Sequence, residues 1–390
     1  MRRCASGAGR LGVEGSVLVI VMITLLFTTF ALVAFIEKAG NDLIVEQHYA
    51  ETRRLRSEAY SALEVTLAVL EDFRQVGNGL HNPTEGWNDP LTFASYTPTE
   101  DRTVDIAFED ESGKLSLPRA DAPTLSRLFQ SWDIAQADAD SLADALMGWM
   151  QPNHVYTSAI APAYDQADLP YLSPNRPMRS YSELAAIEKV RDILYDADGR
   201  PNALWYRFVD SVSLLNFTHT NLNGAKPGAL LALGQFQPSQ QQNINDYLAG
   251  TGAYETQGPG LPFQSATDAQ SIAGPGGNPA AFGTTISALR VLITVHDGSS
   301  QFRLAAVIAP PNGATTVQTT ATSARTQTSA NSAEAAGRQQ TQPNASPRTT
   351  SPTARNGQTP QRSLNYPFTL LEVRENDDIP PPPPPPPPKD

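Results

Sequence analysis

The side chains that could carry out chemistry are few in this sequence, and they are scattered. Its five histidines stand singly, mostly in loop-like segments: His48, His81, His154, His219 and His296. None of the motifs HExxH, GxSxG and GxGxxG stands in the context that its chemistry requires. A lone histidine can act as a general base, but no constellation of partners accompanies any of these. The sequence therefore predicts a protein that is not an enzyme.

Four aspartates are candidate calcium ligands: Asp165, Asp168, Asp196 and Asp198. A calcium site needs several carboxylate or carbonyl oxygens together. The stretch Asp196–Gly199 resembles part of an EF-hand loop, but it lacks the distal glutamate and has the wrong glycine spacing. We interpret it as a surface turn, with a calcium site as the alternative, and we expect no other cofactor.

The element that must position everything else begins near the start of the chain. Residues 1–15 form a short leader that is basic, with Arg2, Arg3 and Arg10. The following run, Ser16–Ile36, contains no charged residue. At about 1.5 Å per residue it is roughly 31 Å long, enough to cross a bilayer core, and it is longer than the apolar part of a secretory signal. The positive-inside rule predicts a cytoplasmic N-terminus and an exported bulk.

This run has two interpretations. It is either a signal anchor that only tethers a soluble domain, or a helix whose leader is removed by a peptidase that cuts after Gly15 on the cytoplasmic face. The second interpretation is favoured by the short leader, by the glycine directly before the apolar run, and by the helical pattern that continues through residues 37–76. In that pattern apolar residues recur every three or four positions: Leu43, Ala50, Leu55, Ala59, Leu63, Leu67 and Leu70.

Composition limits the function further. The 390 residues carry a net charge of −12, which argues against nucleic-acid binding as the main task. The only cysteine, Cys4, lies in the leader, so the exported part can form no internal disulfide. A lipidated cysteine would follow an apolar stretch, whereas Cys4 precedes one.

Downstream of the glycine-rich stop at residues 77–79, the pattern predicts alternating strands and helices. Strands are predicted at Thr103–Phe108 and Leu115–Leu117, helices over residues 121–150 and Tyr181–Leu194, and loops over residues 151–178 and 251–281. Asp297-Gly298 between two alternating runs, Thr285–Val295 and Gln301–Ile308, predicts a β-hairpin.

The sequence contains an internal echo. Leu117–Leu125 matches Leu222–Leu230, each a strand end, a turn and a helix start, and a second short helix follows each copy, Ala137–Met147 and Ser239–Leu248. Such pairs resemble helix-hairpin-helix units, which often bind phosphate backbones. Because the two turns carry only Asp121 and Lys226, we favour structural packing over nucleic-acid binding.

The C-terminal part has a different composition. Residues 310–362 are rich in Thr, Ser, Gln, Asn and Ala, and they predict a disordered linker. In residues 363–390, Tyr366–Val373 could return as a last strand, and Pro380–Pro388 predicts a polyproline II tail.

The order and spacing of several motifs resemble the K-type minor pseudopilins of the bacterial type II secretion system over residues 12–309. The motifs are Gly15-Ser16-Val-Leu, the Trp87 loop, Glu111-Ser-Gly-Lys-Leu-Ser-Leu117, Leu142-Ala-Asp-Ala-Leu-Met-Gly-Trp149, Tyr171 with Asn175-Arg-Pro-Met-Arg-Ser-Tyr-Ser-Glu-Leu184, and Asn221-Leu-Asn223.

The resemblance implies an α+β fold and a structural role. A long transmembrane helix would lead into a pilin-like α/β domain with an antiparallel sheet, residues 77–118 and 210–309, which includes the second helix-hairpin unit. An all-helical SAM-like domain, residues 119–209, would be inserted in it. The protein would stand at the tip of a short periplasmic pseudopilus, anchored in the bacterial inner membrane by a single pass.

The resemblance also implies partners and processing. The partners would be the I-, J- and H-type minor pseudopilins, the major pseudopilin, the inner-membrane assembly platform and the prepilin peptidase. The peptidase would cut between Gly15 and Ser16, and the new N-terminal Ser16 would be methylated.

The residue at position 20 is the feature that would place the subunit. Most pilin-like subunits carry a glutamate five residues into the mature chain, which neutralises the N-terminal ammonium of the adjacent subunit. Here that position is Ile20, as in K-type proteins, and this suits a subunit with nothing above it.

The sequence departs from the family in three places. No carboxylate follows Trp149 within Met150–His154, where family members tend to have an acidic cluster. Glu14 is unusual in a leader, and the long segment from residue 311 goes beyond the family pattern. A minor pilin of a type IV pilus and a membrane-anchored periplasmic binding module remain the alternatives.

Overall fold

The computed structural model describes residues 14–99, 102–157, 164, 170–258, 260–317 and 367–376. The helices are α1 (Glu14–Gly77), α2 (Pro90–Phe93), α3 (Ala122–Gln130), α4 (Gln136–Met150), α5 (Glu188–Leu194), α6 (Ala203–Ser211), α7 (Pro227–Gly234), α8 (Pro238–Ala249) and α9 (Asp268–Ala273). The strands are β1 (Thr103–Asp110), β2 (Leu115–Ser116), β3 (Val212–Ser213), β4 (Thr220–Asn221), β5 (Phe282–Gly283), β6 (Leu289–Asp297), β7 (Ser300–Ala309) and β8 (Thr369–Glu375).

Helix α1 runs unbroken for 64 residues and confirms the predicted long helix. Its length is roughly 96 Å at a rise of about 1.5 Å per residue. The helix ends at Gly77, and the next residue, Asn78, has a left-handed φ of 54°, a conformation typical of the residue after a helix. Residues 18–49 are exposed throughout, so the first half of α1 projects from the rest of the protein.

The second half of α1 packs on one face of a four-stranded antiparallel sheet with strand order β1-β6-β7-β8. The core between them buries one stripe of α1 and the inward side chains of the sheet, among them Leu55, Ala59, Leu63, Leu67, Leu70, Trp87, Val291, Ile293, Phe302 and Leu304. The predicted hairpin is confirmed: β6 and β7 turn through Gly298, which has a φ of 58°. The predicted last strand is also confirmed, because β8 pairs with β7.

A second core lies among the helices between β1 and β6. It is built around the buried side chains Leu125, Leu128, Phe129, Leu142, Leu146, Trp149, Leu184, Val190 and Phe208. One prediction is wrong in this region. Tyr181–Leu194 is not one helix but a 3₁₀ segment, Tyr181–Ala186, followed by α5, with extended backbone at Ile187. Leu184 in the 3₁₀ segment, Ile187 at the break and Val190 in α5 are all buried in this core.

The internal echo is confirmed as a structural repeat. Each copy has a two-residue strand, a 3₁₀ turn and two helices: β2 with α3 and α4, and β4 with α7 and α8. Each short strand pairs in parallel with a later one, so β2 lies beside β3 and not beside β1. The copies also touch each other, because Arg127 Nε of α3 donates to the carbonyl oxygen of Ala232 in α7, at 2.9 Å.

Three further segments differ from the prediction. Helix α6 was not predicted, and the predicted loop 251–281 contains α9. The predicted disordered linker 310–362 is ordered at its start: Ala314 is buried, and Thr315 exchanges backbone hydrogen bonds with Asn216. Residues 318–362 of that linker and the polyproline stretch lie outside the described residues.

We predict that Leu67→Ala will lower the free energy of unfolding by about 2–5 kcal/mol, because Leu67 is 1% exposed in the core between α1 and the sheet. Leu43→Ala is the matched control on the same helix. Leu43 is 60% exposed, so its replacement should change the free energy by less than about 0.5 kcal/mol. Urea unfolding of the full chain in detergent, followed by tryptophan fluorescence, measures both. Equal losses would contradict the packing of α1 described above.

Candidate functional site

The predicted processing site lies in the first turns of α1. The helical backbone begins at Glu14, so Gly15 and Ser16 are already helical, and Ile20 follows with 58% of its side chain exposed. In the described residues, one helix is long and apolar enough to cross a membrane, with a mean hydropathy of 2.7 in its most apolar stretch. This apolar stretch has no contact with the rest of the protein that would bury it. Its side chains are therefore available to a bilayer or to another helix.

Where α1 enters the core, it is tied to the C-terminal strand β8. Arg56 Nε and Tyr60 Oη both donate to Glu375 Oε1, at 2.8 Å and 2.7 Å. The hydrogen bonds from Arg56 and Tyr60 lower the pKa of the Glu375 carboxyl. The strand thus fixes the edge of the sheet against the helix.

The motif Glu111-Ser-Gly-Lys114 lies where the sheet meets the helical region, and its charges are buried. Glu111 is 1% exposed and accepts from Arg290 Nε at 2.8 Å. Lys114 Nζ lies 2.7 Å from Glu109 Oε1 and 3.3 Å from Glu111 Oε1. Burial raises the pKa of Glu111, but the positive charges of Lys114 and Arg290 outweigh burial and hold that pKa below its ordinary value. Removing one partner would leave a buried charge uncompensated.

Beside this ion cluster, the Asp110 carboxylate joins three parts of the chain. Asp110 Oδ1 accepts from Ser112 N at 2.8 Å and from Ser112 Oγ at 2.6 Å. Asp110 Oδ2 accepts from Asn221 Nδ2 at 2.7 Å, and the same amide donates to the carbonyl oxygen of His81 in the loop after α1. The motif that begins at Glu111 and the motif that begins at Asn221 therefore meet at the carboxylate of Asp110, the last residue of β1.

Two glycines make this approach possible. A Cβ atom at Gly224 would clash with Asp110 Oδ2, and a Cβ atom at Gly113 would clash with the backbone carbonyl of Gly224. The 3₁₀ turn that ends at Gly113, just before the first copy of the repeat, thus touches the second copy through backbone at Gly224, and a side chain at either glycine would separate them.

The motif that ends in Trp149 meets the motif that ends in Leu184. Trp149 Nε1 donates to Glu183 Oε2 at 3.2 Å, and Arg176 Nη1 donates to Glu183 Oε1 at 3.1 Å. On the same helix, Asp144 Oδ1 lies 2.6 Å from His154 Nε2, and Asp144 Oδ2 accepts from Thr157 N at 2.9 Å. His154 thus packs at the place where the family tends to have acidic residues, against a carboxylate that α4 provides.

The calcium candidates are not brought together in the described part of the chain. Asp196 and Asp198 lie in the exposed turn between α5 and α6, where Asp196 Oδ1 accepts from the backbone N of Asp198 and of Arg200, at 3.0 Å and 2.8 Å. Asp165 and Asp168 lie outside the described residues. Among the described residues, no group of three or more His, Cys, Asp or Glu side chains is arranged to hold a metal ion.

Glu111 and Asn221 belong to motifs of the sequence, but their contacts were not predicted, and no role was predicted for Asp110 or Arg290. One feature of the sequence could have indicated that Glu111 is buried: it lies in a short turn with Gly113, between two predicted strands. The pairing with Arg290, 179 positions later, had none.

The raised pKa of the Asp110 carboxyl makes the stability of the protein depend on pH. Burial raises the pKa of Asp110 to about 6 from the ordinary 3.8, although the hydrogen bonds from Ser112, Asn221 and Gly113 each lower it. Because the folded-state pKa is the higher one, Asp110 stabilises the fold fully below about pH 4, and this contribution is lost as the pH rises through about 6.

We therefore predict that, between about pH 4 and about pH 7, the free energy of unfolding of the wild type falls by roughly 3 kcal/mol relative to that of Asp110→Asn. Denaturant unfolding at a series of pH values measures this difference. Asp72→Asn, at an exposed position of α1, is the control and should show no such trend. A difference between the wild type and Asp110→Asn that stays constant with pH would be evidence against a buried, titrating Asp110.

Comparison with known proteins identifies one part of the chain. No curated protein matches it. A chain of the GspK-GspI-GspJ complex from the enterotoxigenic Escherichia coli type 2 secretion system is similar in structure, with a TM-score of 0.46 and 12% sequence identity over 70% of this chain and 96% of that chain. The family model for protein K of the type II secretion system matches residues 109–197, which include the Glu111, Trp149 and Glu183 motifs. Within residues 109–197, the match to the protein K family model confirms the resemblance of the motifs to the K-type minor pseudopilins.

Proposed function

We propose that this protein is the minor pseudopilin at the tip of a type II secretion pseudopilus, where it initiates or caps assembly for protein export across the outer membrane. The proposal rests on the identity of residue 20, which is an isoleucine and not a glutamate. It lies five residues into the predicted mature chain, on an exposed apolar helix, where a subunit inside a fibre would need a carboxylate. A subunit without that carboxylate cannot neutralise the terminal ammonium of another subunit above it. The family match at residues 109–197 supports the type II secretion system over a type IV pilus or a separate binding module.

The same proposal covers topology and processing. The basic leader with Arg2, Arg3 and Arg10 would remain in the cytoplasm, Ser16–Ile36 would cross the bacterial inner membrane, and the rest would lie in the periplasm. The prepilin peptidase would cut between Gly15 and Ser16, and Ser16 would be methylated. The helical start of α1 at Glu14 is compatible with a continuous helix across this bond before cleavage.

We further propose a pilin-like domain of residues 77–118 and 210–309 that carries a helical insertion, residues 119–209. The pairing of β1 with β6 across the intervening helices supports this division. So does the separation of the cores, since Phe129, Leu142 and Phe208 belong to one cluster and Trp87 and Phe302 to another.

The partners follow from the same assignment. The protein named GspK in the similar structure is found with GspI and GspJ, and we propose that this chain assembles with the I- and J-type minor pseudopilins. Contacts with the H-type subunit, the major pseudopilin and the assembly platform would follow as the pseudopilus grows. The role is structural: it needs no catalytic residue and no cofactor, and calcium bound by the candidate aspartates would serve only to stabilise the fold.

Ile20→Glu is the variant that tests the tip position. It should reduce secretion and pseudopilus initiation strongly while the protein still accumulates in the membrane, because one carboxylate near the helix end costs at most about 3 kcal/mol of insertion free energy. Ile20→Leu keeps the position apolar and should secrete normally. The measurement is the amount of secreted substrate in the culture medium, with membrane levels of each variant as the control. Normal secretion by Ile20→Glu would count against a tip subunit.

A further inference from the structure

One side of α1 stays exposed immediately before the part of the helix that packs on the sheet, toward its N-terminal end. Val45 and Tyr49 are 51% and 60% exposed. At 3.6 residues per turn they lie on the same side of the helix as Arg56 and Tyr60, which contact β8 further toward the C-terminal end of α1. We call Val45 and Tyr49 the lower stripe of α1. It is an apolar and aromatic surface directly in line with the C-terminal strand.

The described chain leaves the protein at this place. After β8, Asn376 N donates to the carbonyl oxygen of Arg303 at 2.8 Å, and Asn376 Oδ1 accepts from Arg303 N at 3.0 Å. Asn376 also lines a cleft of about 190 Å³ together with His48 and Thr52 of α1. The chain beyond Asn376 therefore starts beside the turn of α1 that contains His48 and Thr52, and Tyr49 lies in that turn.

The residues that follow have an unusual chemistry. Residues 377–390 contain the run Pro380–Pro388, which lacks backbone N–H donors and so cannot add a strand or continue a helix. Such a run predicts polyproline II, a conformation already extended before binding, which recognition surfaces accept on aromatic side chains. A rigid segment loses little conformational entropy on docking, and this lowers the cost of binding to a small surface.

The lengths agree. Nine prolines at about 3.1 Å each span roughly 28 Å. From Tyr49 to Ile36, the end of the predicted membrane segment, α1 covers roughly 20 Å at about 1.5 Å per residue. The prolines are thus long enough to follow α1 from the sheet to the membrane.

We propose that residues 377–390 dock along the lower stripe of α1 and cover it between the globular part and the membrane. The occupant is this chain's own C-terminal tail, because the tail begins beside the stripe and its uncharged run of nine prolines is long enough. A helix from a second copy is the competing occupant. The inference concerns a surface that the proposed tip function does not use.

Cysteine crosslinking tests the proposal, since Cys4 is the only native cysteine. In the full chain with Cys4→Ser, one variant carries Val45→Cys and Pro384→Cys, and the matched control carries Gln47→Cys and Pro384→Cys. Position 47 lies at the same height on the opposite side of α1. The protein is purified alone in nanodiscs from a mixture of isotope-labelled and unlabelled cells, and it is treated with a short bismaleimide.

Docking predicts that the intramolecular crosslink forms about tenfold more from position 45 than from position 47, because a tail that is only tethered reaches both positions at similar effective concentration. Equal yields would overturn the proposal. A mixed-isotope crosslink that dominates at position 45 would also overturn it, because a second copy would then occupy the stripe. If the other prolines of Pro380–Pro388 are replaced by Gly and Ser at the same length, the preference should disappear. A preference that survives would show that the prolines do not bind the stripe.

Discussion

Helix α1 has to be stable in two environments, and the rest of the structure depends on how it meets both. The part of α1 from Leu18 to Ile36 is uncharged, mostly apolar on all sides and exposed, whereas the part from Leu55 onwards is apolar along one stripe that the sheet covers. Hydrophobic burial against the sheet therefore fixes only the part from Leu55 onwards. The apolar segment that ends at Ile36 needs a bilayer or neighbouring helices to cover its side chains. The distribution of apolar residues along α1 is thus that of a helix long and apolar enough to span a membrane, joined to a helix with one buried stripe.

The globular part depends on a second close contact, where the 3₁₀ turn Glu111–Gly113 after β1 meets the 3₁₀ turn Leu222–Gly224 of the second copy of the repeat. Asp110 accepts hydrogen bonds from Ser112 and Asn221, and Gly113 and Gly224 let the two backbones touch. The same place holds the buried pair of Glu111 and Arg290, so charges, amides and glycines together join the sheet to the helical region. The cost of burying these polar groups is offset only because each has a partner, which links the geometry of the two halves.

The features that could be predicted from the sequence are those that a short-range pattern of residues encodes. The long helix, the Asp-Gly hairpin and the repeated strand-turn-helix units all follow from spacings within about 20 residues, and the structure has each of them. The break at Ile187 was missed because a spacing of three residues also fits an amphipathic helix over a short span. The meeting of Asp110 with Asn221 was missed because it joins residues 111 positions apart, and no local pattern encodes such a contact. The ordered structure around Ala314 was not predicted for the same reason, because it depends on backbone hydrogen bonds between Thr315 and Asn216.

The central claim is that α1 is a pilin-type helix, released from its leader and assembled through its N-terminus. The most direct test is mass spectrometry of the mature protein, isolated from the membranes of cells that carry a functional type II secretion system. A chain that begins at N-methylated Ser16 is the predicted result. A chain that keeps Met1, or one cut after Ile36, would contradict the claim.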